Sequence, residues 1–385
     1  MDFSFTEEQR MLRDGVTRVM NELATPEYIR ECDREQRFPE ELYKAWVDLG
    51  LLRLPFPEEY GGMGGNVIDL AVMAEAISYK SFDFFTALGA SLFCGLNLLA
   101  KGTTEQKAQL LPKLLAGEVK FSVSISEPEA GSDVGAMRST AVRDGTDWLI
   151  NGQKLWATSA GAPDNIIHMY VKTDPKAHYR KGMSLFLVDN RSEGLELRKL
   201  DMLGRRCTGT YEIHCNDVRV AADRLVGGEN NGWQVVMAGL QVERVTVTAG
   251  YIGGMQAILD DALQYAKDRK QFGRPIGTNQ AIAHMLADMQ ADLEVSRTMM
   301  WRAAWTLASG ADALKEISIA KLFASEAYVR MANNAMQILG AYGYCMEFDM
   351  QRHFRDARSV TIGAGTSQMQ RNLIAARMGL KVDNN

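Results

Sequence analysis

Apolar residues along this 385-residue chain change their period twice, and the changes divide it into three parts. Up to about residue 117 they recur every three or four positions, the helical period. Thr6 and Gln9 form a capping-box pair ahead of Leu12, Val16, Val19, Met20 and Leu23, which predicts a first helix. Phe38-Pro39-Glu40-Glu41 opens another that runs to Gly50. The prolines and glycines of residues 55–65, PFPEEYGGMGG, predict a loop, and it lacks the lysine of a phosphate-binding P-loop. Residues 67–100 predict a helix rich in small and apolar side chains, and Thr104 opens one more through Leu115.

From Val119 to about Val226 the period falls toward two. Asp144-Gly145 and Asn151-Gly152 predict hairpin turns, and Met183 to Val188 a fully buried strand. Tyr211, Ile213 and Cys215 alternate with Glu212, His214 and Asn216. After Gly227-Gly228 the helical period returns, predicting helices over 241–272, 280–309, 312–338 and 367–378. The fold class this implies is α+β, mainly α. It has an N-terminal helical domain (1–117), a central β domain (118–228) and a C-terminal up-and-down four-helix bundle (229–385).

The stretch Gln241 to Phe272 organises the bundle. Val245, Ala249, Ile252, Leu259, Leu263 and Ala266 keep helical spacing over a length on the order of 40 Å. Glu243-Arg244 stands in its first turns, and Arg269-Lys270-Gln271-Phe272 closes it before Gly273 and Pro275. A Glu-Arg pair near a helix start is by itself ordinary solvated surface.

Composition removes several classes. A net charge of −5 without a long basic block gives no case for nucleic acid or an anionic membrane. The five cysteines are scattered without a CxxC pair, and the five histidines lack metal-ligand spacing, so neither a disulfide framework nor a metal site is expected. The acidic start MDFSFTEEQR does not read as a signal peptide, and no apolar run reaches about 18 residues, so a cytoplasmic protein without a membrane span is expected. No GxGxxG follows a strand, so nothing announces a Rossmann dinucleotide site.

Five motifs then coincide in order. They are Ser126-Glu127-Pro128-Glu129-Ala130-Gly131-Ser132-Asp133, Asn151-Gly152-Gln153-Lys154-Leu155-Trp156-Ala157-Thr158, RKQFGRPIG from Arg269, Gln337-Ile338-Leu339-Gly340, and Arg355-Asp356-Ala357-Arg358 leading to Ile362-Gly363-Ala364-Gly365-Thr366-Ser367-Gln368. Together they resemble the acyl-CoA dehydrogenase family over essentially the whole chain. The resemblance implies an FAD held across a dimer interface, within a homotetramer built as a dimer of dimers. It implies that Val123, Ser124, Ser126, Gly131 and Ser132 meet the flavin end and pyrophosphate, with Trp156 beside the ring and Thr158 near its reactive nitrogen. Arg269, Phe272, Asn279 and Gln280 would approach the neighbouring subunit's cofactor, and Gln337, Gly340, Thr366 and Gln368 would complete the adenine side. Taken singly, each has a plainer role in packing or capping.

The reaction implied is α,β-dehydrogenation of an acyl-CoA thioester, with electrons passed to electron-transfer flavoprotein. Many family members carry the catalytic Glu where this chain has Ala364, and alanine abstracts no proton. In the isovaleryl-CoA and long-chain branches the base stands on the long helix, before an Arg, which here is Glu243 before Arg244. Glu243 is therefore the expected base, its pKa raised when substrate desolvates it. The Ala364 N–H would hold the thioester oxygen, and Ser132, Gln241, Arg244, Gly363 and Gly365 are the further substrate contacts expected. The room left by Gly363 and Ala364 either admits a branched acyl group or is filled by neighbours, and the acyl floor is expected from residues 87–100 and 236–250. Three alternatives stay open on the same fold. One is an enoyl-CoA reductase similar to crotonobetainyl-CoA reductase, another an oxidase, and the third a catalytically silent acyl-CoA-binding protein.

Overall fold

The structure, a computed structural model, describes residues 4–381. Thr6 caps the first helix as its spacing predicts: its hydroxyl accepts from the Gln9 N–H at 3.2 Å, and the Gln9 side chain accepts from the Thr6 N–H at 3.2 Å. Six helices make the N-terminal part: α1 (Glu7–Leu23), α2 (Pro26–Glu35), α3 (Glu40–Asp48), α4 (Val67–Ser78), α5 (Phe82–Lys101) and α6 (Thr104–Leu115). The helix expected over 67–100 is two helices, broken at Tyr79-Lys80-Ser81. Its apolar run continues through the break, so periodicity alone carries no sign of the turn. By length and composition α5 is apolar enough to cross a bilayer, but most of it is buried inside the protein.

Eight strands follow: β1 (Lys120–Ser124), β2 (Thr140–Asp144), β3 (Asp147–Thr158), β4 (Asn165–Lys172), β5 (Met183–Asp189), β6 (Leu195–Leu200), β7 (Thr210–Val220) and β8 (Leu225–Val226). They form one sheet in the order β6-β7-β3-β2-β4-β5-β8, with β1 pairing parallel to β4. Asp144-Gly145 makes the β2–β3 hairpin as predicted. Asn151-Gly152 does not turn the chain. It lies inside β3 at a register shift against β7, where Gly152 has φ +138° and a Cβ would fall 2.3 Å from the Ser139 hydroxyl. Both a hairpin and a bulge ask for glycine, and the dipeptide does not say which. Central strand β4 is buried on both faces. Tyr170 packs into the large core shared with the helices, while Met169 and Val171 pack into a smaller core within the sheet region.

The rest is helical: α7 (Gly232–Asp268), a small ribbon of β9 (Lys270–Gln271) and β10 (Arg274–Pro275), then α8 (Gln280–Ala308), α9 (Leu314–Leu339), the single turn α10 (Ala341–Tyr344), α11 (Met350–Ser359) and α12 (Ser367–Arg377). The long helix starts nine residues earlier than expected and ends before Arg269, so its 37 residues span about 55 Å. Glu243 thus sits some three turns in, not at the helix start. Helices α4, α5, α8 and α9 all pack on α7. Small residues let them approach closely: a Cβ at Gly253 would fall 2.2 Å from the Glu75 carbonyl oxygen, and one at Gly254 would fall 2.3 Å from the Tyr328 hydroxyl.

Candidate active site

Because α7 is enclosed, its polar residues at 243 and 244 are drawn into the interior. Arg244 is 8 % exposed, and Glu243 keeps a partial opening to solvent. Among the described residues no side chain donates a hydrogen bond to the Glu243 carboxylate, and no cationic nitrogen comes within 4.0 Å of it. Burial pushes its pKa up to about 7, against the pull of the Arg244 and Lys321 charges. That shift is present without any substrate, so the protein itself does the desolvation that the sequence assigned to the acyl group. The Cys94 thiol of α5 and the Tyr170 hydroxyl of β4 lie near enough for the Glu243 charge to add to the raising of their pKa values that burial begins. Gln241 is half-buried two residues ahead on α7, a spacing that turns it away from Glu243.

The loop between α11 and α12 closes over this point. Ala364 and Gly365 are both left-handed, with φ of +53° and +87°. Their carbonyls face buried donors. The Arg244 Nε donates to the Ala364 carbonyl at 3.4 Å, and the Lys321 Nζ donates to the Gly365 carbonyl at 2.7 Å and the Val360 carbonyl at 3.0 Å. The Gln370 amide adds a bond to the Gly365 carbonyl at 3.1 Å. The N–H groups of Ala364, Gly365 and Thr366 reach no protein acceptor among the described residues. Gly363 stands beside them, exposed on the same loop. A carboxylate with no donor and a row of amides with no acceptor are therefore joined through Arg244.

Lys321 was not singled out from the sequence. It is fully buried on α9, and burial and the Arg244 charge lower its pKa to about 8, against the pull of Glu243. The available signal was its place in the apolar stripe Ile317, Lys321, Ala324, Tyr328, where a lysine is out of pattern. Gln370, also fully buried, carries no comparable mark.

A second group of predicted residues gathers where β1 meets β3. The Leu155 N–H donates to the Ser126 carbonyl at 2.9 Å, tying the segment after β1 to the edge that carries Trp156 and Thr158. Trp156 is left-handed at φ +65° and 55 % exposed, an unusual setting for an indole. Beside this edge the Ser124 hydroxyl is buried and meets no protein partner. A bare aromatic face and an orphan hydroxyl fit a flat polar ring system, the requirement of a flavin. Val123 is half-buried on β1, and Gly131 and Ser132 are exposed in the following loop. Beneath the edge runs a buried pair absent from the expectations: the Lys154 Nζ donates to Glu127 Oε1 at 2.7 Å and to the Ile125 carbonyl at 3.2 Å.

Arg269, Phe272, Asn279, Gln280, Gln337 and Gly340 lie toward the far end of α7 and do not reach Glu243, whereas Thr366 and Gln368 follow directly on the Ala364 loop. Phe272 is fully exposed at φ +51°. The Arg269 guanidinium lies 5.5 Å from the ring centre of Tyr342, close to Gln337 and Gly340 at the end of α9. Asn279 is engaged locally, accepting from Arg274 at 2.9 Å, and Gln280 begins α8. Thr366 caps α12 by accepting from the Met369 N–H at 3.2 Å, and Gln368 is exposed beyond it.

Known proteins place this arrangement. Models of the acyl-CoA dehydrogenase N-terminal, middle and C-terminal domains match residues 6–118, 122–218 and 230–379. The chain is 37 % identical to a probable acyl-CoA dehydrogenase, YngJ, of Bacillus subtilis (strain 168), over 98 % of this chain and 100 % of that protein. It is 35 % identical to the caffeyl-CoA reductase–Etf complex subunit CarC of Acetobacterium woodii, over 97 % of this chain and 99 % of that one. The solved structure of butyryl-CoA dehydrogenase from Megasphaera elsdenii superposes with a TM-score of 0.93 at 29 % identity, covering 99 % of this chain and 100 % of that one. The chain belongs to the acyl-CoA dehydrogenase family and is an FAD-dependent oxidoreductase of acyl-CoA thioesters.

Proposed function

We propose that the protein converts a saturated acyl-CoA to its trans-2-enoyl-CoA with Glu243 as general base. The Glu243 carboxylate carries this reading: it is desolvated, has no hydrogen-bond donor, and is raised to about 7, where it accepts a proton near neutral pH. Ala364 supplies no rival acid. Glu243 takes the α-hydrogen as a proton, and the Ala364 N–H holds the thioester oxygen as negative charge moves onto it. Arg244 keeps that loop against α7 through the Ala364 carbonyl. The bound FAD supplies the acceptor for the β-hydride. Ser124, Ser126, Trp156 and Thr158 hold its flavin end, with Val123, Gly131 and Ser132 beside them.

Arg269, Phe272, Asn279 and Gln280 then serve the cofactor of a second copy of this chain, and Gln337, Gly340, Thr366 and Gln368 the adenine side. Phe272 is fully exposed and so open to a second copy, which supports this. The assembly proposed is a homotetramer, and sedimentation of the FAD-loaded protein as a monomer would remove the shared site. Electrons pass to an electron-transfer flavoprotein, as the name of the Acetobacterium relative suggests. That relative also supports a second reading, reduction of an enoyl-CoA by the same residues in reverse, with Glu243 returning the proton.

Anaerobic addition of saturated thioesters to the FAD-loaded protein tests both. The set should include straight, isovaleryl and arylpropanoyl chains. Bleaching of the flavin band identifies the dehydrogenase and its acyl class. If no saturated thioester bleaches it while an enoyl-CoA reoxidises the dithionite-reduced protein, the second reading holds. Inertness in both directions would sink both.

A further inference from the structure

Lys321 needs an account that neither folding nor the base supplies. A fully buried lysine is costly, and here its ammonium has no carboxylate within salt-bridge distance among the described residues. Its two described partners are carbonyls of one loop, Gly365 at 2.7 Å and Val360 at 3.0 Å. Val360 and Gly365 bracket the segment that contains Ala364. A trans peptide unit is planar, so its N–H points opposite to its C=O. Pulling the Ala364 and Gly365 carbonyls down onto Arg244 and Lys321 therefore turns the Gly365 and Thr366 N–H groups the other way. It also holds Ala364 at φ +53°, a conformation that an alanine rarely adopts and that persists only where its surroundings enforce it.

We propose that Lys321 is a positioning residue: its buried ammonium ties Val360 to Gly365 and so holds the loop, with Ala364 left-handed, in the arrangement that presents the unpaired amides of 364–366 to the thioester carbonyl. Arg244 and Gln370 share the task, on the Ala364 and the Gly365 carbonyls. Lys321 touches no substrate in this account and acts through the loop. The inference rests on the reading that the amides of 364–366 face the thioester, and it is independent of which residue is the base.

The test uses the FAD-loaded protein and a 3-thia-acyl-CoA, which can lose its α-proton but has no β-hydride to give. The carbonyl stretch of the bound, isotope-labelled thioester reads the donor directly, and the long-wavelength band of the bound anion reads enolisation. Lys321→Met is expected to bind CoA itself as the native protein does, to shift the carbonyl stretch back toward its solution value, and to weaken enolisation about 100-fold, the cost of misplacing a donor. Lys321→Arg keeps a buried cation and should recover part of both signals. Where Lys321→Met fails to fold, Gln370→Met removes the second donor to the Gly365 carbonyl and should shift the stretch in the same direction by less. A native carbonyl stretch in folded Lys321→Met, or in Gln370→Met should that be the variant available, overturns the proposal. The stretch depends on the amide and not on the base, so an active Glu243→Gln would refute the base and leave this result standing.

Discussion

Two glutamates drawn into the interior, each within the field of a buried lysine, have been built for opposite ends. Glu127 accepts from the Lys154 ammonium at 2.7 Å and from the Ser139 N–H at 3.1 Å, and its other oxygen accepts from the Arg138 N–H. Burial alone would raise its pKa, but the Lys154 charge and these bonds hold it below the ordinary value. Glu243 is half-buried in a desolvated setting, lies farther than 4.0 Å from any cationic nitrogen among the described residues, and accepts no side-chain bond. Its pKa goes up to about 7. Hydrogen bonds to the charged form decide the sign. A carboxylate held by three donors is scaffold, and one that accepts no bond is available for proton transfer.

Breaking each site at one residue should therefore damage different things. Glu243→Gln should retain FAD and fold, yet reduce its flavin about 10²–10⁴ more slowly with an acyl-CoA that bleaches the native protein. Stopped-flow absorbance measures this, and a native rate would take Glu243 out of the chemistry. Lys154→Met leaves Glu127 charged and unpaired in the interior, which costs about 3–5 kcal/mol of stability. Denaturant melts of the FAD-loaded protein should show it. A loss under about 1 kcal/mol would mean that the Arg138 and Ser139 amides suffice and that Lys154 is a bystander.

The difference between the two glutamates was only half legible in the sequence. Glu243 could be singled out as a candidate only through the family resemblance, which expects an acid at 364 or before an Arg on the long helix, and this chain has Ala364 and Glu243-Arg244. Its distance from the helix start could not be read, since the nine residues ahead of Gln241, GWQVVMAGL, are almost all apolar or glycine and show no polar face to mark the helical period. Glu127 and Lys154 both lie inside motifs that were recognised, but nothing in a motif says that a Glu and a Lys 27 positions apart meet. Lys321 was out of pattern in its stripe and still went unnoticed, because a long helix usually carries lysines outward. The three-part order, the capping of α1 and the buried β5 were set by local periodicity and survived folding. What the sequence withheld, the α4–α5 break, the β3 bulge and the loop clamp, depends on contacts between distant segments.

The smallest expected effect is the sharpest test of the contrast, because the two glutamates should tilt stability with pH in opposite directions. Glu243 has a folded pKa of about 7 against an ordinary 4.5, so the folded state binds its proton more tightly than the unfolded chain does. Its contribution is fully present below about pH 4.5 and is lost as pH rises through about 7. Glu127 is shifted down, so its contribution is present above about pH 4.5 and is lost as pH falls through its folded pKa. Asp261, raised to about 6, and Asp356, raised to about 7, add slopes of the first kind. The native curve alone is therefore a sum, and the difference from Glu243→Gln isolates one member. Urea midpoints at saturating FAD should fall less steeply between pH 4.5 and 7 in Glu243→Gln than in the native protein. Glu127→Gln should flatten only the acid side. Catalysis runs against the first slope, since a base must be ionised and the rate should rise with pH through about 7. The pH at which Glu243 becomes useful is thus the pH at which it stops helping the fold. Identical slopes in native and Glu243→Gln protein between pH 4.5 and 7 would mean that its carboxyl is better solvated than its surroundings imply.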